Sequence, residues 1–264
     1  MPPTPANASR FVFQAVNLSL FLAFIWEVFN RGPSPTGDAA TIALAAAASI
    51  LALARQLPLQ NVWLAAAIAG IVGGAAHGLS SDSALCLPFG PIHFNSAAGW
   101  QIFHLVPWTL PLVWIIAIFN ARGVARLVLR PWRKVKNYGF WLIGVTSFLA
   151  VVFDTALEPF AVYAKHFWFW QRTKLSLTWQ GAGLLNFAAW AFVAWLIMML
   201  ATPSLIPKQP KSPSAPDWHP LALWLGALTL FAIGTAHAGH GSAFAADAAI
   251  AALTAGFAIR GAQW

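Results

Sequence analysis

Residues 138–159 read YGFWLIGVTSFLAVVFDTALEP. The stretch is uncharged from Tyr138 to Phe153, then carries Asp154 and Glu158 four residues apart and ends on Pro159. A helix crossing the roughly 30 Å hydrocarbon core of a bilayer needs about 20 mostly apolar residues, and this segment supplies them. Ionisable groups inside such a span are costly and usually face a bundle interior or a cavity. The same texture runs through the chain: of 264 residues, 59% are hydrophobic and 8% charged, with mean hydropathy +0.67. Ordinary globular domains are about 45–50% apolar and about 25% charged. The composition therefore excludes a soluble single domain and a disordered chain. A single cysteine, Cys86, leaves no intrachain disulfide to staple a small secreted fold.

Outward from this segment, eight stretches qualify as spans: Phe11–Asn30, Ala39–Gln56, Val62–Leu79, Gly99–Phe119, Tyr138–Leu157, Gly181–Ala201, Leu221–His237 and Phe244–Ile259. The second and the last are Ala-rich and weakly hydrophobic, which leaves seven spans as the alternative; small residues suit close packing within a bundle. The fold class expected is an all-α polytopic transmembrane helix bundle. It forms a single integral membrane domain over 1–264, with a Pro/Ser-rich cytoplasmic linker at 203–216. The first apolar stretch lacks an A-x-A cleavage pattern and reads as a retained helix.

The net charge of +8 would suggest nucleic acid in a soluble protein, but here the cations fall mostly in loops. Between the fourth and fifth spans stand Arg122, Arg126, Arg130, Arg133, Lys134 and Lys136; with Arg10, Arg55, Lys208, Lys211 and Arg260 they place eleven cations on one side. Arg31, Lys165, Arg172 and Lys174 put four on the other. The positive-inside rule then sets both termini in the cytoplasm, with membrane lipids as partners and no nucleic acid.

With that topology the polar residues are one-sided. Glu27, His77, Asp82, His93, His104 (one turn into helix four), Asp154, Glu158, Asn186, His237, His240 and Asp247 all fall towards the outer face, which suggests one site near the outer leaflet. Residues near helix ends can also simply snorkel, but short acids do so poorly. Asp154 and Glu158 at i, i+4 share a helix face, where like charges repel; a carboxylic acid beside a carboxylate is an acid/base pair. Pro159 disfavours helical geometry at Glu158, so the helix could end there and the two side chains diverge, one of them pairing with Lys165. Tyr163–Trp170 reads as an aromatic belt at the interface, or as a wall for a long apolar ligand whose ring faces also stabilise a cation. Phe89-Gly90-Pro91 makes a turn that could cap a cavity. Pro107 and Pro111 would kink helix four.

In this order the elements resemble the integral membrane carotenoid biosynthesis proteins, whose members include hydratases of acyclic carotenoids of the bisanhydrobacterioruberin type. The matching residues are Phe89–Pro91, the V-P-x-x-x-P-x-x-W run of Val106, Pro107, Pro111 and Trp114, then Asp154, Leu157-Glu158-Pro159, the W-x-W of Trp168 and Trp170, and N-F-x-x-W at Asn186, Phe187 and Trp190. Glu27 matches an acid of the first helix. The resemblance covers about residues 80–190. Glu158 stands where the family often has Asp, and Ala189 where it often has Gly.

The resemblance implies addition of water across the terminal C=C of an acyclic carotenoid, lycopene-like or longer, without a cofactor or metal. It implies catalytic roles for Asp154, Glu158 and Glu27: one of the first two as general acid, the other or Glu27 as counter-charge. Asn186 would bind water or fix an acid. Trp168, Trp170, Trp190, Phe89, Trp114 and His104 would line the substrate channel. Other enzymes of carotenoid synthesis are implied partners. Three readings compete. A histidine-box oxygenase has only the close pair His237 and His240 to build on. A proton-coupled transporter would spread its acids across the midplane. A non-catalytic carotenoid- or lipid-binding protein would tolerate loss of Asp154.

Overall fold

A computed structural model describes residues 5–82, 86–171, 177–206 and 215–264. The architecture is all-α, with eight helices long and apolar enough to cross a membrane. They are α1 (Pro5–Phe29), α2 (Pro35–Ala54), α3 (Leu59–Asp82), α4 (Leu110–Val128), α5 (Tyr138–Pro159), α6 (Leu184–Leu205), α7 (His219–His237) and α8 (Gly241–Ala262). In lipid each backbone must close its own hydrogen bonds, which helices do segment by segment. The outward faces stay apolar: Phe21, Phe140, Phe148 and Phe192 are all exposed.

The centre of the bundle is α4. Two thirds (67%) of its apolar span is buried, against 11% for the peripheral α1. Small residues allow its neighbours in. On α3, Gly73 lies beneath the Trp114 ring so closely that a Cβ there would stand 2.2 Å from Cγ of the indole. Trp114 in turn stacks on Trp190 of α6, with ring centroids 3.9 Å apart.

Short ribbons decorate the end of the bundle that holds the α3–α4 and α5–α6 connections. Strand β1 (Ile92–Phe94) pairs antiparallel with β4 (Trp168–Trp170), β2 (Gln101–Ile102) with β3 (Val106–Pro107), and β5 (Thr178–Trp179) with β6 (Ala182–Gly183). The first pairing sets Ile92 opposite Trp170 and Phe94 opposite Trp168. It ties the FGP loop to the W-x-W segment.

Several boundaries differ from the sequence reading. Helix four starts at Leu110, not Gly99, because Pro107 closes a strand and Pro111 sits in the first turn of α4. Proline is tolerated in a first turn, where no backbone donor is needed, so the two prolines mark a helix start and make no internal kink. His104 is therefore on an exposed hairpin turn with positive φ (59°), not inside a helix. Helix six starts at Leu184, after the β5–β6 hairpin, and continues through Pro203 to Leu205, so the first residues of the expected linker belong to α6. Arg122 and Arg126 belong to α4 rather than to a loop; buried Arg122 donates from Nη2 to the carbonyl of Leu205 at 2.7 Å and so caps the end of α6. Residues 207–214, with Lys208 and Lys211, and residues 172–176, with Arg172 and Lys174, lie outside the described residues.

Candidate functional site

The helix carrying Asp154 and Glu158 does not stop at Glu158. It passes through Pro159 (φ −64°, ψ −33°) and widens into a π-helical turn over Phe160–Ala164. Proline has no N–H to give the carbonyl of Thr155 one turn back; the indole Nε1 of Trp179 donates to it instead, at 3.0 Å. The π turn ends with Lys165 N donating to Phe160 O and Phe167 N to Ala161 O. Such bulges occur often at functional sites. Here the turn delivers Lys165 and then the strand of the W-x-W motif.

Because the helix continues, the two acids keep one face. Asn186 Nδ2 donates to Asp154 Oδ2 at 2.6 Å and to Glu158 Oε1 at 3.2 Å. Glu158 Oε2 accepts from Trp168 Nε1 at 3.1 Å and from Trp170 Nε1 at 2.9 Å. Two residues apart on a strand, the two tryptophans share its inward face. Asp154, Glu158 and Asn186 are fully buried. Asp154 Oδ1, Asn186 Oδ1 and Trp190 Nε1 have no hydrogen-bond partner.

Glu27 is elsewhere. Its Oε2 lies 2.5 Å from Lys165 Nζ, and Asp38 Oδ1 lies 2.7 Å from the same ammonium. Lys165 Nζ also donates to Gly32 O at 3.2 Å. The lysine thus hydrogen-bonds Glu27 and Gly32 O and makes an ion contact with Asp38. Glu27 Oε1 lies 2.9 Å from Thr41 Oγ1, which is also 3.1 Å from Gly37 O. Asp38 Oδ2 accepts from Ser34 N at the start of α2. All four side chains are buried, and two carboxylates face one ammonium.

This ionic cluster closes one end of an apolar cleft of about 90 Å³ between α1, α2, α4, α5 and α7. The walls are Phe24, Ile42, Val113, Phe153, Leu157, Phe160, Phe167, Trp168 and Phe231, with Glu27, Asp38, Thr41 and Lys165 at the polar end. Helix α5 turns Phe153 and Leu157 towards the cleft and Asp154 and Glu158 towards α6. The Trp168 side chain belongs to both places, lining the cleft and donating to Glu158.

The expected single outer cluster is thus two clusters at one end of the bundle. Of the residues singled out in the sequence, Glu27 and Trp168 line the cleft; Asp154, Glu158, Asn186 and Trp170 form the network behind Trp168. Phe89, Trp114 and Trp190 pack with His77 into an aromatic core between α3, α4 and α6; the His77 and Phe89 rings stack at 3.8 Å. His104 joins neither cluster. The sequence reading passed over Asp38 and Thr41, and the alternative in which Asp154 or Glu158 pairs with Lys165 is not realised, since Lys165 meets Glu27 and Asp38. The signal for Asp38 was the short Asn30–Ser34 connection, which brings the end of α1 and the start of α2 to the same level. Among the described residues, no three His, Cys, Asp or Glu side chains gather as a metal site.

A polytopic helix bundle with an apolar interior cleft ending on buried ionisable groups defines an integral membrane protein. Residues 37–257 match the family described as carotenoid biosynthesis protein, and the chain belongs to that family. The matched region includes Asp38, Lys165 and the Asp154–Asn186–Glu158 network, with Glu27 lying just before it. No curated protein and no solved structure matches the chain.

Proposed function

We propose that the chain adds water to the terminal C=C of an acyclic carotenoid bound end-on in the cleft. The observation that carries this reading is the junction of the apolar, aromatic-walled cleft with the Glu27–Lys165–Asp38 cluster. Alkene hydration needs a proton donor, stabilisation of a tertiary cation and one water. The Glu27 carboxyl supplies the proton: its O–H bond breaks as a C–H bond forms on the less substituted carbon. Thr41 orients the acid through its hydroxyl, which donates to Glu27 Oε1 and also lies within reach of Gly37 O. Proton transfer leaves two carboxylates against one ammonium, a net negative charge facing the cation in a water-poor site, where such charges act strongly. The faces of Trp168 and Phe231 add cation–π stabilisation. Water then forms the C–O bond and returns a proton to Glu27. Asp154, Asn186 and Glu158 act through Trp168, holding its ring against the cleft. Positive-inside orientation places this end of the bundle at the outer leaflet of a plasma or inner membrane and both termini in the cytoplasm.

The unpartnered Asp154 Oδ1, Asn186 Oδ1 and Trp190 Nε1 favour a second reading, with Asp154 as the proton donor and Glu158 as its counter-charge. Pigment analysis by liquid chromatography and mass spectrometry in a lycopene-producing host separates the two. We expect a product heavier by one water from the wild type. Loss of general acid catalysis in Glu27→Gln should lower it by roughly 100-fold or more, with a smaller loss in Asp154→Asn. The reverse ranking would move the donor to Asp154. A product heavier by one oxygen would replace hydration by oxygenation.

A further inference from the structure

The Glu27–Lys165 pair is reached from two directions. Besides the cleft, a second and much smaller pocket of about 10 Å³, room for roughly one water, meets it from the end of the bundle, between α1, the π turn and α7. Glu27, Lys165, Phe160 and Leu230 line both spaces. The linings differ in character. The cleft is walled by rings and aliphatic side chains, whereas the second pocket carries Asn30, Arg31 and His237. Arg31 and His237 are exposed, Asn30 is half-buried, and Glu27 and Lys165 are buried. Val28, Ala164, Ile233 and Gly234 complete its wall, and three polar side chains stand between the protein surface and the carboxylate. Asn30 Nδ2 even shares an acceptor, Gly32 O, with Lys165 Nζ.

We infer that this pocket is a water inlet, a binding site and path that brings the second reactant to Glu27 separately from the lipophilic one. The inference rests on the hydration reading for its chemical meaning and on the lining alone for its existence. A reaction joining a long hydrocarbon to water meets a conflict: a channel that admits the first repels the second. Two openings meeting at one carboxyl resolve it. Phe160 and Leu230 form the partition, apolar on the cleft side, so that water arrives at the acid without flooding the cleft. A cation formed in the cleft is then captured by a water that enters behind the acid.

Two experiments test this on the full chain. In a Cys86→Ser background, Ile233→Cys on the inlet wall and Val113→Cys on the cleft wall are treated in detergent with a charged methanethiosulfonate. We expect Ile233→Cys to react at least tenfold faster; equal, slow modification of both would overturn the inlet, whatever the protein's activity. The second uses Ile233→Trp as a plug. If wild-type protein hydrates lycopene, the plugged variant should make at least tenfold less alcohol and more of the isomer in which the cation has lost a proton to shift its double bond. An unchanged alcohol yield from a folded plugged variant would also overturn the inlet. A wild type that makes no alcohol would instead sink the hydration reading, and the labelling result would still decide the inlet.

Discussion

Lys165 holds together three segments that hydropathy alone would never connect: the end of α1, the start of α2 and the loop after α5. Removing one partner of a buried charge group leaves the others uncompensated. Lys165→Met should therefore destabilise the protein by about 3–5 kcal/mol, read as thermal unfolding in detergent. The triple variant with Glu27→Gln and Asp38→Asn should recover most of that loss, because no charge then remains; if it does not, the ammonium acts mainly through packing. Trp179 offers a second test. Trp179→Phe removes the donor that serves Thr155 O and should cost about 1 kcal/mol. Pro159→Ala restores the backbone donor, so the double variant should show positive coupling of similar size in a double-mutant cycle. These partnerships were hidden in the sequence for physical reasons. Asp38 looks like any acid in a first helical turn, where the macrodipole favours it. Lys165 looks like a loop cation, and its counter-ion is 138 positions away.

The helices were legible because lipid demands long uninterrupted apolar runs, and all eight expected spans exist. Their ends were less legible. Residues 99–109 are apolar enough to pass as helix, yet Pro107 and Pro111 turn them into a ribbon and a first turn. The other ribbons have strands of only two or three residues, too short for a period to declare itself; W-x-W was visible as a pair but not as one face of a strand. Close helix packing was equally silent. At the α4–α8 contact, a Cβ on Gly261 would lie 2.2 Å from the backbone carbonyl oxygen of Leu127. A carbonyl inside α4 cannot swing aside as a side chain can. Gly261→Ala should cost about 1–3 kcal/mol by overpacking, whereas Gly144→Ala, with open space around it, should be close to neutral. Thermal unfolding of the two purified variants compares them directly.

Eight crossings put both termini at the end of the bundle that carries Arg130, Arg133, Lys134 and Lys136 in the α4–α5 connection. Reporter fusions at either terminus should therefore report the cytoplasm, and replacing the four loop cations with glutamate should yield a mixed orientation. A uniform outward report from both fusions would place the cleft's polar end at the inner leaflet. The one-sidedness of the polar groups was readable from this parity, because each hairpin of helices returns its acids to the same level. Their division into two clusters was not, since it depends on which face of α5 meets α6 and which meets the cleft.

The ion triad also sets a timetable for biogenesis. Glu27 and Asp38 leave the ribosome within one helical hairpin, but Lys165 follows 138 residues after Glu27. At roughly 5–20 residues per second, the acids wait on the order of ten seconds for their counter-ion. During that interval three more helices are delivered to the bilayer, and two carboxyl groups at the tip of the first hairpin have water as their natural neighbour. Until the turn after α5 arrives, the α1–α2 hairpin carries both acids without their ammonium. Closure of the cleft's polar end is thus a late event in assembly, and a chain truncated before residue 165 carries its first two helices without the ion that seats them.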